Sequence, residues 1–184
     1  MTRRALAATL LASLLVAPLL EAAPAVRFRL TALDGTKLDL EELRHRGPVL
    51  IDFWATWCKP CLASIPEIEA LHRRYGPRGL TVIGVSVDGP RNYAKVRPFV
   101  ARLGITYPVV LDPDGRMQAD YQVRAMPTSV LVDTAGAIAR VMQGYRPGED
   151  AMLAAAIEKL LPALADSASA DSSAARRDSS GVER

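Results

Sequence analysis

The two cysteines of this chain, Cys58 and Cys61, stand three positions apart, directly behind an apolar run in the segment IDFWATWCKPC (51–61). No other cysteine occurs in the 184 residues, so any thiol chemistry must be performed by this one pair. Two cysteines at this spacing can form half of a metal site, part of a haem attachment site, a structural disulfide or a redox couple. The residues around the pair discriminate among these four.

Three of the four alternatives are disfavoured by the neighbouring sequence. A structural zinc site needs four nitrogen or sulfur ligands, and the two histidines, His45 and His72, lie in a charged loop and on a polar helix face. Covalent haem attachment needs a histidine directly after the second cysteine, where Leu62 stands. A disulfide that encloses two residues removes little entropy from the unfolded chain and so stabilises weakly. Redox chemistry remains.

The position of the pair relative to a predicted helix gives each thiol an expected role. Apolar residues recur at helical spacing over residues 62–75, which predicts a helix that begins at the cysteines. Cys58 then lies at the first turn, where unpaired N–H groups and the helix dipole favour a thiolate, so we expect it to be the nucleophile. Cys61, one turn further in, is expected to be the resolving thiol. Pro60 fixes the backbone at the helix start, and Lys59 adds a positive charge.

Strand and helix patterns alternate along the rest of the chain. VRFRLTALDGTKLDL (26–40) alternates apolar and polar residues around a turn and predicts a hairpin. PVLIDFW (48–54) and LTVIGVSVD (80–88) are continuous apolar runs, which predict buried strands. The next segment predicts a helix (91–104), and Pro98 indicates either a kink in this helix or a late start. The remaining elements are a short strand (107–112), a short helix (115–123), a second hairpin (128–145) and a closing helix (148–161). This order predicts an α/β fold in which a mixed central sheet has helices on both faces.

The N-terminal sequence has the pattern of a secretory signal peptide. Two arginines at positions 3 and 4 precede an apolar run (5–20), and Ala23-Pro24-Ala25 has the small-x-small form of a cleavage site. As a helix the apolar run would span roughly 24 Å, which is less than a hydrocarbon core of about 30 Å. We therefore expect cleavage after Ala25. The alternative is an uncleaved anchor that tethers the domain outside the inner membrane.

The chain is predicted to contain one folded domain. Residues 165–184 are rich in Ser, Ala, Asp and Arg and too poor in large apolar residues to fold, which predicts a disordered tail. The expected divisions are a signal peptide or anchor (1–25), the domain (26–164) and the tail (165–184). The formal net charge of +3 gives no basic stripe of the kind that binds nucleic acid, so no nucleic-acid partner is expected. Neither a cofactor nor a metal is expected.

Several segments resemble the thioredoxin superfamily. FWATWCKPC (53–61), which includes Trp57, is similar to its active-site segment, and ATW with the preceding hairpin is most similar to the exported TlpA/ResA-like branch. Pro66 corresponds to the proline inside the active-site helix of that superfamily. AMPTSVLVD (125–133) resembles the segment whose cis-proline, here Pro127, faces the cysteines, and Met126 would pair its backbone with an extended substrate. The resemblance covers roughly residues 28–161.

The resemblance implies a thioredoxin-like fold and a thiol-disulfide oxidoreductase that acts on protein disulfides in the periplasm or otherwise outside the cytoplasm. In this branch the common task is reduction, for example of apocytochrome cysteines during cytochrome c maturation, with electrons from a membrane-bound donor. The Lys59-Pro60 dipeptide lacks the histidine of strongly oxidising members and so favours a reductant. The alternatives are a copper-binding module on the same fold and a peroxiredoxin, although Ala55 stands where peroxiredoxins have a threonine or serine.

Two positions depart from the pattern of the branch. Many members have a glutamate three residues after the second cysteine, where this chain has Ser64. Asp52 instead matches the buried aspartate of thioredoxin, which accepts a proton from the resolving thiol. The lysine that partners this aspartate in thioredoxin is missing from VIGVSVD (82–88). Since a lone buried carboxylate is costly, we expect a raised pKa at Asp52 and a proton-relay role.

Overall fold

The N-terminal hairpin and a short helix come first in the computed structural model, which describes residues 23–162. Strands β1 (Arg29–Thr31) and β2 (Lys37–Asp39) pair antiparallel, as predicted. Helix α1 (Leu40–Arg44) follows, and its first turn is capped because the N–H of Glu41 donates to Asp39 Oδ1 at 2.9 Å. No helix was predicted between the hairpin and the first buried strand.

A five-stranded mixed sheet forms the centre of the molecule, in the order β5-β4-β3-β6-β7. Its three parallel strands are β3 (Val49–Trp54), β4 (Thr81–Ser86) and β5 (Val109–Leu111). Strand β6 (Thr128–Val132) pairs antiparallel with β3, and β7 (Ile138–Gln143) pairs antiparallel with β6. All six residues of β3 are buried, which confirms the central strand predicted from its continuous apolar run.

Four further α-helices connect or follow the strands, and a 3₁₀ turn (Gly76–Arg78) follows the first of them. They are α2 (Lys59–Tyr75), α3 (Tyr93–Leu103), α4 (Arg116–Asp120) and α5 (Glu149–Leu160). Helix α2 begins at the cysteines, as predicted. Pro98 lies inside α3, so of the two predicted alternatives, a kink or a late start at Pro98, the late start is excluded. Within residues 23–162, no helix is both long enough and apolar enough to cross a membrane.

The alternation of side chains along β3 divides the core between the two faces of the sheet. Leu50 and Trp54 pack in a cluster with Cys61 and other buried residues of α2, α3 and α5. Val49, Ile51 and Phe53 pack with the hairpin, α1 and α4. Helices therefore cover both faces of the sheet, which confirms the predicted fold class and places the cysteines on one side of it.

Gly84 of β4 lies opposite Asp52 of β3 and leaves room for two aromatic rings. A Cβ atom at this position would lie 2.9 Å from Tyr107 Cε2 and 3.0 Å from Trp54 Nε1, and both rings are buried. We expect Gly84→Ala to lower the free energy of unfolding in urea by about 1–3 kcal/mol through overpacking. Gly89→Ala is the matched control, because a Cβ there meets nothing within 4 Å. Equal costs for both variants would contradict this explanation.

The first described residues lie against the turn between β6 and β7. The N–H of Ala25 donates to the carbonyl of Gly136 at 2.9 Å, and the N–H of Ile138 donates to that of Ala23 at 2.8 Å. Because Val132 at the end of β6 pairs with Val49 at the start of β3, this turn lies at the opposite end of the sheet from the cysteines. Residues 1–22 of the expected signal peptide and the expected tail lie outside the described residues.

Candidate active site

The two thiols lie at the point where β3 gives way to α2. Cys58 is the N-cap residue of α2, and its sulfur accepts a hydrogen bond from the N–H of Cys61 at 3.2 Å. The two sulfurs are joined in a disulfide with an S–S distance of 2.04 Å. A helix N-terminus presents unpaired N–H groups, so a negative charge on the Cys58 sulfur is stabilised where it would form.

Access to the pair is unequal. Cys58 is 5% exposed and Cys61 is 0% exposed, so an incoming disulfide meets Cys58 first. Trp57, directly before it, is 60% exposed and forms a projecting apolar rim. Lys59 and Pro60 are exposed at the first turn of α2. The site is therefore a narrow opening beside a tryptophan, with the second thiol fully covered.

Asp88 fixes the loop that leads to Cys58, a role that the sequence analysis missed. This buried carboxylate accepts hydrogen bonds from the N–H of Thr56 at 2.9 Å and from its hydroxyl at 2.6 Å. The hydroxyl of Ser86 donates to the same carboxylate at 2.9 Å. The Thr56 hydroxyl is thus directed to Asp88, and Ala55 contributes no hydroxyl near the thiols. The signal that could have identified Asp88 is its place at the end of the apolar run 80–88, two residues after β4.

Asp52 is the buried carboxylate on the face of β3 that packs against α2. Its Oδ1 accepts a hydrogen bond from the hydroxyl of Ser129 at 2.8 Å, and its Oδ2 has no partner among residues 23–162. Burial raises the pKa of Asp52 to about 7, against the smaller opposing effect of the Ser129 hydrogen bond. Gly84 lies opposite Asp52 on β4. The lysine that partners this aspartate in thioredoxin is therefore absent from the neighbouring strand, as the sequence predicts.

Tyr107 is a second buried ionisable side chain near Asp52 that the sequence analysis did not identify. Burial raises the pKa of Tyr107, and the charges of Asp52 and Glu69 add to this effect. The ring of His72 meets the ring of Tyr107 edge-on, with their centroids 5.9 Å apart. His72, predicted on a polar helix face, is half-buried, and its Nδ1 is covered.

The segment before β6 lies beside α2. The bond between Met126 and Pro127 is cis, as predicted, and Pro127 is buried while Met126 is half-buried. Pro127, Ser64 and Ser129 line one small cavity of about 30 Å³. The hydroxyl of Ser64 donates to the carbonyl of Cys61 at 3.1 Å, so the position of the expected glutamate is occupied by a helix-bonded hydroxyl. Ser129 thus links this cavity to Asp52.

The rim of the same cavity is acidic. Glu67, Glu149 and Asp150 all contribute to its lining, and the hydroxyl of Tyr145 donates to Glu67 Oε1 at 2.7 Å. Over the described part of the chain, no group of three or more His, Cys, Asp or Glu side chains is placed to hold a metal ion.

Comparison with known proteins agrees with this geometry. The model of the AhpC/TSA family matches residues 21–141. The thiol-disulfide oxidoreductase ResA of Geobacillus kaustophilus is 34% identical over 123 residues, which are 67% of this chain and 69% of that protein. ResA of Bacillus anthracis is 32% identical over 138 residues, which are 75% of this chain and 77% of that protein.

A solved structure gives the same result. A protein from Chlorobium tepidum, proposed to be the thiol:disulfide interchange protein DsbE, has a TM-score of 0.70 at 29% identity. The match covers 76% of this chain and 96% of that one. A cysteine pair at a helix start, on a fold shared with these proteins, accounts for the common activity. The chain belongs to the AhpC/TSA family and is a ResA-like thiol-disulfide oxidoreductase whose redox couple is Cys58 and Cys61.

Proposed function

We propose that Cys58 is the attacking thiol and Cys61 the resolving thiol in the reduction of protein disulfides. The Cys58 thiolate attacks one sulfur of the substrate, the substrate S–S bond breaks, and the other sulfur leaves as a thiolate. Cys61 then attacks the Cys58 sulfur of the mixed disulfide, which releases the second substrate thiol and leaves the Cys58–Cys61 disulfide. The observation that carries this order is the Cys58 sulfur at the N-cap, with its residual exposure beside a fully covered Cys61.

Asp52 is the group that we assign to accept the proton of Cys61. Its support is that a carboxyl group with a pKa of about 7 is divided between its two forms near neutral pH, as general base catalysis requires. The hydroxyl of Ser129 holds one of its oxygens in place, and the other is free to take a proton. Asp52 belongs to the sheet face that packs against α2.

The substrate contacts follow from the surface around the dithiol. Trp57 offers an exposed apolar face directly beside Cys58. The half-buried Met126 offers its backbone to an extended substrate segment, and Pro127 supports the site from the adjacent cavity wall. Lys59 and Pro60 shape the first turn of the helix. These residues therefore orient the substrate, and the two thiols perform the exchange.

We place the enzyme outside the cytoplasm, where protein disulfides form and a reductant of them is needed. The support is the signal-peptide pattern of residues 1–25, from which a cleaved periplasmic form or an outward-facing anchored form follows. Apocytochrome cysteines before haem attachment are the substrate that we propose for a ResA-like protein. A membrane-bound donor would return the Cys58–Cys61 disulfide to the dithiol after each turnover. For the chain as a whole we propose the division into a domain (26–164) and a tail (165–184) that the sequence predicts.

The reduction potential of the Cys58–Cys61 couple tests the proposed direction. We expect a value near that of thioredoxin, about −270 mV, because Lys59-Pro60 supplies no histidine to stabilise the reduced form. Equilibration with glutathione buffers, followed by alkylation and mass measurement, gives this potential. The same preparation should reduce insulin in the presence of dithiothreitol. A potential near −120 mV, as in strongly oxidising enzymes, would reverse the proposed direction.

A further inference from the structure

A wide groove flanks the dithiol on the side of α3. It has a volume of about 810 Å³, and Thr56 and Trp57, the two residues before Cys58, form one of its walls. The other wall is α3, from which Pro98 and Phe99 supply apolar surface. A substrate segment held in this groove would therefore lie directly beside the attacking sulfur.

The charge of the groove is positive. Lys95 and Arg102 are exposed on α3 and line it, and its lining contains no acidic residue. The ammonium of Lys95 donates to the side chain of Asn92 at 3.0 Å, and the guanidinium of Arg102 lies over the ring of Phe99 at 4.8 Å. Among residues 23–162, no ion pair includes either of these cations. Both charges are thus available to a ligand.

The surrounding chain reinforces this charge. The segment 89–111 contains four basic residues and no acidic one, so no carboxylate of the segment neutralises the groove. On the side of β6 and β7, the small cavity lined by Ser64 and Pro127 has the acidic rim of Glu67, Glu149 and Asp150. The groove on the side of α3 and the cavity on the side of β6 therefore carry opposite charge.

We propose that the groove between Trp57 and α3 docks an acidic segment of the substrate protein, adjacent to the disulfide that is reduced. This inference rests on the proposed function and specifies its substrate class. Apolar side chains of the segment contact Trp57 and Phe99, and its carboxylates pair with Lys95 and Arg102. The opposite charge at the cavity lined by Ser64 and Pro127 favours one direction of the segment across the thiols.

This proposal is tested with three disulfide-cyclised peptides. They differ only in the residues that flank the disulfide, which are Glu in the first peptide, Gln in the second and Lys in the third. Stopped-flow tryptophan fluorescence of the reduced protein gives the rate of reaction with each peptide. At low ionic strength we expect the Glu peptide to react about tenfold faster than the Lys peptide, because opposite charges steer encounter. In 1 M salt, where the Debye length is about 3 Å, the difference should close.

Charge variants locate the effect. K95E/R102E is expected to invert the preference, and the milder K95Q/R102Q to abolish it, with urea unfolding as the check that both variants are folded. K159E is the matched control and should keep the wild-type order of rates. Lys159 is exposed on α5 next to Glu158, which pairs with Arg78 beyond the C-terminal end of α2, far from Cys58.

The outcomes separate the two proposals. Equal reduction of all three peptides, or the same preference in K95E/R102E as in the wild type, would overturn the docking inference and leave the proposed function standing. Failure to reduce any of them would overturn the proposed function, and the docking inference with it. A third outcome is that the three peptides react at equal rates, while the wild type binds phosphatidylglycerol vesicles and K95E/R102E does not. This outcome would assign the groove to a membrane surface and also overturn the proposal.

Discussion

Cys58→Ser is expected to lower disulfide reductase turnover by about three orders of magnitude or more, because the variant has lost the sulfur that attacks the substrate. Cys61→Ser should still attack, since Cys58 keeps its N-cap position, but it cannot resolve the product. This second variant should therefore accumulate a mixed disulfide with substrate. Non-reducing gels and mass measurement after incubation with an oxidised substrate protein distinguish the two results.

The two variants serve as controls for each other, because each removes one sulfur from the same motif. Brief alkylation of the reduced wild-type protein gives an independent check. Label should appear first at Cys58, which retains exposed surface, and later at Cys61, which has none. Initial labelling of Cys61, or trapping of substrate by Cys58→Ser, would show that the roles are assigned in the wrong order.

Asp52→Asn is expected to slow resolution by Cys61 by about 100-fold, with a much smaller effect on the first attack by Cys58. The amide keeps a hydrogen-bonding oxygen for Ser129 but cannot take a proton from the thiol. Stopped-flow reduction of a model disulfide separates the two steps, because the mixed disulfide forms first and decays second. Ser129→Ala is the informative companion, since it leaves the carboxyl group in place. Equal slowing of both steps by Asp52→Asn would make Asp52 a structural residue.

The same substitution has a large expected effect on stability. Burial raises the pKa of Asp52 to about 7 from the ordinary aspartate value of 3.8, so between these pH values the native state binds a proton that the unfolded state has lost. Stability therefore falls as the pH rises from about 4 to about 7 and stays low above that. One pKa unit corresponds to about 1.4 kcal/mol, so this group lowers the free energy of unfolding by about 4 kcal/mol.

Asp52→Asn removes this penalty. In urea titrations of the oxidised proteins, the variant should match the wild type in stability near pH 4. At pH 8 its free energy of unfolding should exceed that of the wild type by about 4 kcal/mol. The difference between the two proteins isolates Asp52, because the other carboxylates are common to both. A difference that does not change with pH would mean that Asp52 titrates alike in the native and unfolded states.

Local patterns were sufficient to predict most of the fold. The unbroken apolar run of β3 and the helical spacing after the cysteines each specify one element without help from distant residues. Helix α1 escaped prediction because five residues are too few to show a period, although Asp39 followed by Glu42 has the spacing of a cap. The role of the Cys58–Cys61 pair could likewise be inferred from adjacent residues.

The supporting residues of the site could not be predicted in the same way, because they come from distant parts of the chain. Asp88 reaches Thr56 across 32 positions, and Ser129 reaches Asp52 across 77. Only the register of neighbouring strands brings these side chains together. The basic segment of α3 is visible in the sequence, but its place beside Trp57 depends on how the helix packs.

The attachment of Ala23 and Ala25 to the β6–β7 turn determines how a tethered form of the enzyme would face its surroundings. That turn and the dithiol are at opposite ends of β3, whose six residues span about 20 Å. A bilayer or a solid support joined through the N-terminus would therefore contact the end of the molecule that carries the β6–β7 turn. The dithiol would point outward, within reach of freely diffusing substrates and at a distance from the surface that holds the protein. A donor embedded in that surface would then need a domain of its own that extends past the β6–β7 turn to reach the disulfide.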